Sequence, residues 1–191
     1  MSLNAEYNCP VCKKGELTLN QTTYDVPYFG PLAILTTRCL ACGFKHNDVI
    51  PLKAQQPTCY IAKITEKDDL KIRLIRSSTA TVRIPELGVE VTPGPLAEGF
   101  VSNIEGLIER TENIVKSILA LTKNEKKRIK QTDLLKKLNL AREGNLPFTV
   151  IIKDPMGNSA MVSEKKGKVR CRKLSKNEIK SLKPLGILDF K

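Results

Sequence analysis

Apolar positions recur along this chain with two periods, and the switches between them divide it. From Glu16 to Tyr24 apolar and polar residues alternate and threonine is frequent, the pattern of a half-buried strand. Ala33 to Arg38 and Phe44 to Leu52 read as two further strands, and Val26-Pro27-Tyr28-Phe29-Gly30-Pro31 makes an aromatic, turn-rich loop between the first two. After a connector, Pro51 to Pro57, Cys59–Ile64 reads as a strand, and the strict alternation of Leu70–Arg76 predicts another, half-buried one. Ala80–Ile84 is closed by Pro85, and Leu87–Thr92 by Pro93-Gly94-Pro95. Short strands with regular punctuation predict a β-sandwich, a jelly roll or a double-stranded β-helix.

Near Ser102 the period changes to 3.6. Ser102 and Glu105 have capping-box spacing, and Ile104, Leu107, Ile108, Ile114, Val115, Ile118 and Leu121 line one side of a predicted helix. Thr122 and Glu125 repeat the box, and a second helix with Ile129, Leu134, Leu135 and Leu138 as its stripe ends near Gly144. The short break predicts an antiparallel helical hairpin. Strand pattern returns in Phe148–Lys153, turns over Asp154-Pro155-Met156-Gly157-Asn158 and comes back along Ser159–Val162. Asp154 and Asn158 read most simply as caps of their own turn. A strand over Val169–Leu174 follows, then a short helix opened by Ser175 and Glu178 and ended by Pro184-Leu185-Gly186. The expected layout is a small module over residues 1–57, a β-domain over 58–165 carrying the hairpin at about 102–143, and a basic extension over 166–191. The expected fold class is mainly β with an α insertion.

The first module carries its own chemistry. Cys9/Cys12 and Cys39/Cys42 are two Cys-x-x-Cys pairs, each able to present two thiolates to one metal from a tight turn. Together they complete a tetrahedral shell for one Zn²⁺ with no position open to water, so the site is expected to be structural. Gly43 suits a turn needing positive φ, and Lys13 and Lys14 soften the negative charge of the thiolates. Two disulfides or a redox pair are the alternatives; the otherwise intracellular character of the chain favours metal. Three antiparallel strands with cysteine turns at one end make a zinc ribbon, whose small core needs the ion.

Composition narrows the function. The 191 residues, 41% hydrophobic, suffice for one ordinary domain and a small one. No apolar run approaches the ~18 residues of a membrane span, and Met1–Asn8 lacks the features of a secretory signal, so a cytoplasmic protein is expected. His46 is the single histidine, which excludes a two-histidine iron site and leaves a Ser-His-Asp system dependent on it alone. Its place after the second cysteine pair suits an exposed strand or turn residue, and no catalytic residue is assigned. Cys59 and Cys171 are either neighbours in the fold or free thiols, the latter being commoner. The net charge of +12 is uneven: residues 123–143 carry +5 and 144–191 carry +7, while the first 122 residues are neutral overall. Such clusters attract phosphate backbones or an acidic protein face, or are solvated surface.

Four stretches together resemble the Zpr-type zinc-finger family: Cys9-x-x-Cys12 with Cys39-x-x-Cys42-Gly43-x-x-x-Asn47-x-Val49; Val26-Pro27-Tyr28-Phe29-Gly30; Arg83-Ile84-Pro85-Glu86-Leu87 through Pro93-Gly94 and Asn103-x-Glu105-Gly106-Leu107; and Pro147-Phe148-Thr149 through Asp154-Pro155-x-Gly157-Asn158-Ser159. The resemblance implies a zinc ribbon followed by a double-stranded β-helix with an inserted helical hairpin. It also implies a non-enzymatic protein that binds a translation GTPase of the elongation factor one-alpha type, as adaptor or folding chaperone. Eukaryotic members carry two copies of the unit; one copy, as here, looks like the archaeal form. The surfaces expected to meet the partner are Tyr28 and Phe29 in the aromatic loop and Lys126, Lys127, Arg128 and Lys130 on the hairpin. The alternative is an RNA-binding ribbon protein using the basic hairpin and tail, with strong salt dependence.

Overall fold

The computed structural model describes residues 2–52, 56–94 and 97–182. A four-stranded antiparallel sheet comes first, in the order β1 (Ser2–Asn8), β2 (Glu16–Val26), β3 (Gly30–Cys39), β4 (Lys45–Pro51). The sequence predicts three of these strands. β1, a run with two asparagines, has weak strand propensity of its own and is completed by pairing along β2, Leu3 opposite Leu19 and Ala5 opposite Leu17. The β2–β3 hairpin turns at Tyr28 and Gly30, both left-handed (φ 74° and 77°), with Phe29 N–H donating to Val26 O.

The rest is a jelly-roll-like pair of sheets. Its strands are β5 (Thr58–Ile64), β6 (Arg73–Arg76), β7 (Thr81–Ile84), β8 (Val89–Val91), β9 (Phe100–Asn103), β10 (Phe148–Asp154), β11 (Ala160–Val162) and β12 (Val169–Lys173). One sheet has the order β12-β5-β10-β7-β8 and the other β11-β6-β9. They share a core in which Ala62, Ile64, Val82, Ile84, Val150 and Ile152 face Leu74 and Met161. Between β9 and β10 the chain leaves as a hairpin of α1 (Ile104–Leu121) and α2 (Glu125–Glu143), closed by Gly144 at φ 81°. A six-residue helix, α3 (Lys176–Ser181), opens with the expected Ser175/Glu178 capping box; the terminator Pro184–Gly186 lies outside the described residues. The fold class is thus the expected one, mainly β with a helical insertion. β12, from the stretch read as a basic extension, is an edge strand of the larger sheet.

Four local expectations are corrected. Leu70–Arg76 is not one strand: Lys67–Lys71 forms a 3-10 helix and only Arg73–Arg76 is extended. The acidic start decides this, because Glu66 and Asp69 build a reciprocal cap. Nor is β6 half-buried, since Leu74 enters the main core while Ile75 points the other way into the zinc module. Leu87–Thr92 likewise begins with a 3-10 turn, Pro85–Leu87, and pairs only from Val89. The helix caps are also shifted. Asn103 Oδ1 accepts from Gly106 N–H (2.8 Å) and Asn124 Oδ1 from Lys127 N–H (3.1 Å), so neither Ser102 nor Thr122 opens a helix. Ser102 is held in β9, an unpredicted strand, and Thr122 closes α1 by donating its hydroxyl to Ile118 O. Finally, the apolar stripe of the hairpin is covered only near its base. α1 buries Ile104, Leu107, Ile108, Thr111 and Val115, and α2 buries Leu138 and Ala141.

Candidate metal centre and partner surfaces

The two cysteine turns are near copies. Cys9 O accepts from Lys13 N–H (2.8 Å) and Cys39 O from Gly43 N–H (3.0 Å), while Cys9 N–H donates to Gly15 O and Cys39 N–H to Phe44 O. Each turn needs a left-handed residue four positions after its first cysteine: Gly43 (φ 76°) supplies one, and Lys13 (φ 57°), less suited to it, supplies the other. All four sulfurs lie within 4.8 Å of one another, with Cys9 to Cys42 at 3.6 Å and Cys12 to Cys39 at 3.8 Å. Four thiolates at a Zn–S distance of about 2.3 Å require about 3.8 Å between sulfurs, so the cradle fits. Gly15 closes it, because a methyl there would come 2.5 Å from Cys39 Sγ and 2.7 Å from Ala41 Cβ.

The electrostatics agree. Backbone N–H groups of Lys14 and Gly15 hold the Cys12 thiol down to about 6. At Cys42 the Phe44 N–H favours the thiolate, but desolvation and the neighbouring sulfurs push the thiol up to about 12. Four thiolates cannot crowd together unless a cation offsets them, and this donor set calls for a closed dication site. No disulfide links the cysteines in this structure; the Cys9–Cys42 and Cys12–Cys39 sulfurs stand 3.6 and 3.8 Å apart, well beyond an S–S bond of about 2.05 Å. Cys59 sits opposite Arg172 and Cys171 opposite Tyr60, which places the two thiols on opposite faces of the sheet. Burial pushes the Cys59 thiol up. His46 lies in β4 opposite Thr37.

The expected partner residues fall in two places. Phe29 packs with Val26 and Ala160 against a cluster of Leu32, Val49 and Ile75, so much of it serves the join between ribbon and jelly roll. Tyr28 is 56% exposed, with the Arg73 guanidinium 4.2 Å over its ring and its hydroxyl donating to Glu164 (3.2 Å). On the hairpin, Lys126, Lys127 and Lys130 are exposed, whereas Arg128 ties the turn together by donating to Leu119 O and Thr122 O. Sequence reasoning missed the apolar company of these lysines: Ile114 (52% exposed), Ile118 (48%), Leu121 (85%) and Ile129 (61%) stand in solvent near the hairpin's end.

Three cations of the tail region are matched internally. Lys165 reaches Glu66 (3.1 Å) and Asp68 (2.8 Å), Lys168 reaches Asp69 (2.6 Å), and Arg172 pairs with Glu178 (2.7 Å). The Lys165 ammonium holds the Asp68 carboxyl at about 2, against 3.8 for the free group. A carboxylate lowered on folding stabilises fully above its unfolded value and loses that contribution as pH falls through its folded one. Denaturation midpoints of the native chain are therefore expected to fall between about pH 4 and pH 2 more steeply than those of Lys165→Ala, by an increment reduced by solvent screening.

Two family models match. The ZPR1 zinc-finger domain covers residues 2–57 and the ZPR1 jelly-roll domain residues 68–182. The chain belongs to the ZPR1 family. The ZPR1-like protein of Methanocaldococcus jannaschii is 42% identical over 177 residues, 92% of this chain and 88% of that one. The ZPR1-like protein of Pyrococcus horikoshii is 42% identical over 179 residues, 92% of this chain and 79% of that one. The zinc finger chaperone zpr1 of Schizosaccharomyces pombe is 31% identical over 160 residues, 79% of this chain but 34% of its own length. A ZPR1 unit of this kind is therefore a zinc-binding protein, and Cys9, Cys12, Cys39 and Cys42 are positioned to hold one ion. Among the described residues no helix is long and apolar enough to cross a membrane.

Proposed function

We propose that this protein binds a translation GTPase of the elongation factor one-alpha type in the cytoplasm and serves it as adaptor or folding chaperone. The observation that carries the reading is the outer half of the hairpin. Ile114, Ile118 and Leu121 follow helical spacing on one face of α1, and Ile129 stands at the same end on α2, all exposed. Lys123, Lys126, Lys127 and Lys130 surround them. An apolar patch whose rim is mostly basic, with Glu125 and Asp133 as its acidic members, suits an acidic protein face, the apolar part supplying affinity and the lysines orientation and on-rate. The exposed ring of Tyr28 offers a second contact. The chaperone named among the relatives supports a protein partner, and the pairing of Lys165, Lys168 and Arg172 with internal carboxylates weakens the RNA reading.

Native mass spectrometry of the zinc-loaded protein with archaeal elongation factor one-alpha, with GDP and without nucleotide, tests this. A one-to-one complex is expected. The double change Ile118→Ser/Leu121→Ser should weaken it by at least about tenfold, ~1.4 kcal/mol, with the melting temperature unchanged. Absence of a complex in both states, with salt-dependent RNA binding in its place, would replace this reading by the nucleic-acid one.

A further inference from the structure

The Asp154-Pro155-Met156-Gly157-Asn158-Ser159 run does more than close its own turn. Asp154, at the end of β10, is fully buried. Its Oδ2 accepts from Ser77 Oγ (2.7 Å), and its Oδ1 from Thr79 Oγ1 (2.6 Å) and Met156 N–H (2.9 Å). Ser159 Oγ accepts from Ser77 N–H (3.0 Å). Every one of these bonds but the Met156 one grips the Ser77–Ala80 turn, which is closed by Ala80 N–H donating to Ser77 O.

Ser78, between the gripped residues, faces the other way. Its hydroxyl donates to Asp48 Oδ2 (2.7 Å) and its N–H to Asp48 Oδ1 (3.3 Å), and Asp48 belongs to β4 of the zinc ribbon. The same stretch of β4 is held from a second side, at Asn47, by the loop before β9. Gly99 N–H donates to Asn47 O (3.2 Å), Asn47 N–H donates to Glu98 Oε1 (3.1 Å), and a methyl at Gly99 would overlap Asp48 Oδ1 and lie 2.7 Å from Val49 N. Buried Arg76 joins the two grips, donating to Glu98 O (2.8 Å) and Ala80 O (3.0 Å) with the charges of Asp48 and Asp154 nearby.

We propose that Asp154 is a positioning residue: through the Ser77–Ala80 turn it fixes the angle at which the zinc ribbon sits on the jelly roll, without touching the ribbon. The apolar cluster of Leu32, Val49 and Ile75 supplies adhesion but little direction. Hydrogen bonds to a buried carboxylate are directional and costly to misalign. The ribbon and the helical hairpin are thereby held at one spacing, whatever their partner is.

Amide residual dipolar couplings of the full, zinc-loaded chain test this. One alignment tensor is expected to fit ribbon and jelly roll together in the native protein. Asp154→Asn and Ser77→Ala should each require two tensors and give the ribbon its own, shorter rotational correlation time. Thr149→Ala is the control, because Thr149 lies on the same strand and bonds to Glu86 away from the junction; it should lower stability and keep one tensor. Should Asp154→Asn fail to fold, Ser77→Ala, which removes the Ser77 hydroxyl's bonds to Asp154, Thr79 and Ser159 and keeps the Ser77 N–H bond to Ser159, decides alone. A single shared tensor in Ser77→Ala, or in both variants, would overturn the proposal and leave the apolar cluster as what sets the angle.

Discussion

Removing the zinc, by a chelator or by Cys39→Ser, is expected to unfold the ribbon while the jelly roll stays folded. Among its described residues the ribbon buries few apolar side chains besides Cys9 and Cys39: Leu32, Ala33 and Val49. Burying a Leu or Val contributes roughly 1.5–3 kcal/mol, whereas ordering the backbone costs about 1–2 kcal/mol for each residue. A sheet of four strands cannot stand on such a core. Structural zinc in small modules contributes about 10–16 kcal/mol near neutral pH, which makes metal binding and folding one event. The jelly roll differs, with twenty buried apolar residues in one cluster. In an amide correlation spectrum the signals of residues 8–50 should collapse on metal removal, and those of β5–β8 and β10 should persist. Shifts should appear at Ile75, Ser78 and Gly99, where the ribbon leaves. A ribbon that kept its dispersion without metal would show that the cysteines are not its main support.

How far the sequence carried depended on how local each signal was. The cysteine pairs, the aromatic turn and the strands at Glu16–Tyr24, Ala33–Arg38, Phe44–Leu52, Cys59–Ile64 and Phe148–Lys153 are written in a few adjacent residues each, and they stand where the pattern puts them. The caps at Asn103 and Asn124 were misplaced because Ser, Thr and Asn cap almost equally well; the choice fell to the end of β9, set by pairing with β6. Leu70–Arg76 was misread because alternation does not distinguish a strand from a 3-10 turn followed by a strand that is buried on both faces. The junction was invisible for a stronger reason. Asp48, Ser78, Gly99 and Asp154 are scattered over more than a hundred residues, and nothing near any of them signals that a carboxylate on one module is gripped by a turn on the other. The aspartate motif was visible, but its nearest explanation, a self-capped turn, accounted for only the bond to Met156.

Leu138→Ala is expected to release the base of the hairpin at a cost of about 2–5 kcal/mol, the range for truncating a fully buried leucine. Leu138 is fully buried, and it and Ala141 are the two buried residues of α2, against five on α1. Hydrogen exchange should accelerate through residues 125–143 in this variant and stay slow in β5 and β10, and affinity for the partner should fall with the hairpin's order. Ile118→Ala and Ile129→Ala lie on the same apolar stripe and are expected to cost about 0.5 kcal/mol or less, as exposed positions do. The stripe therefore separates into two parts with one pattern and different physics. Periodicity identifies the apolar side of a helix but not what covers it, and past Val115 and before Leu134 the described chain fully buries no apolar side chain, Leu119 being half-buried. Leaving four large aliphatic side chains in water brings the free chain no stability, which is why a partner is the natural cover for them. If Ile118→Ala destabilised the free protein as much as Leu138→Ala, the outer stripe would be buried in solution, and the surface on which partner binding is proposed would not exist.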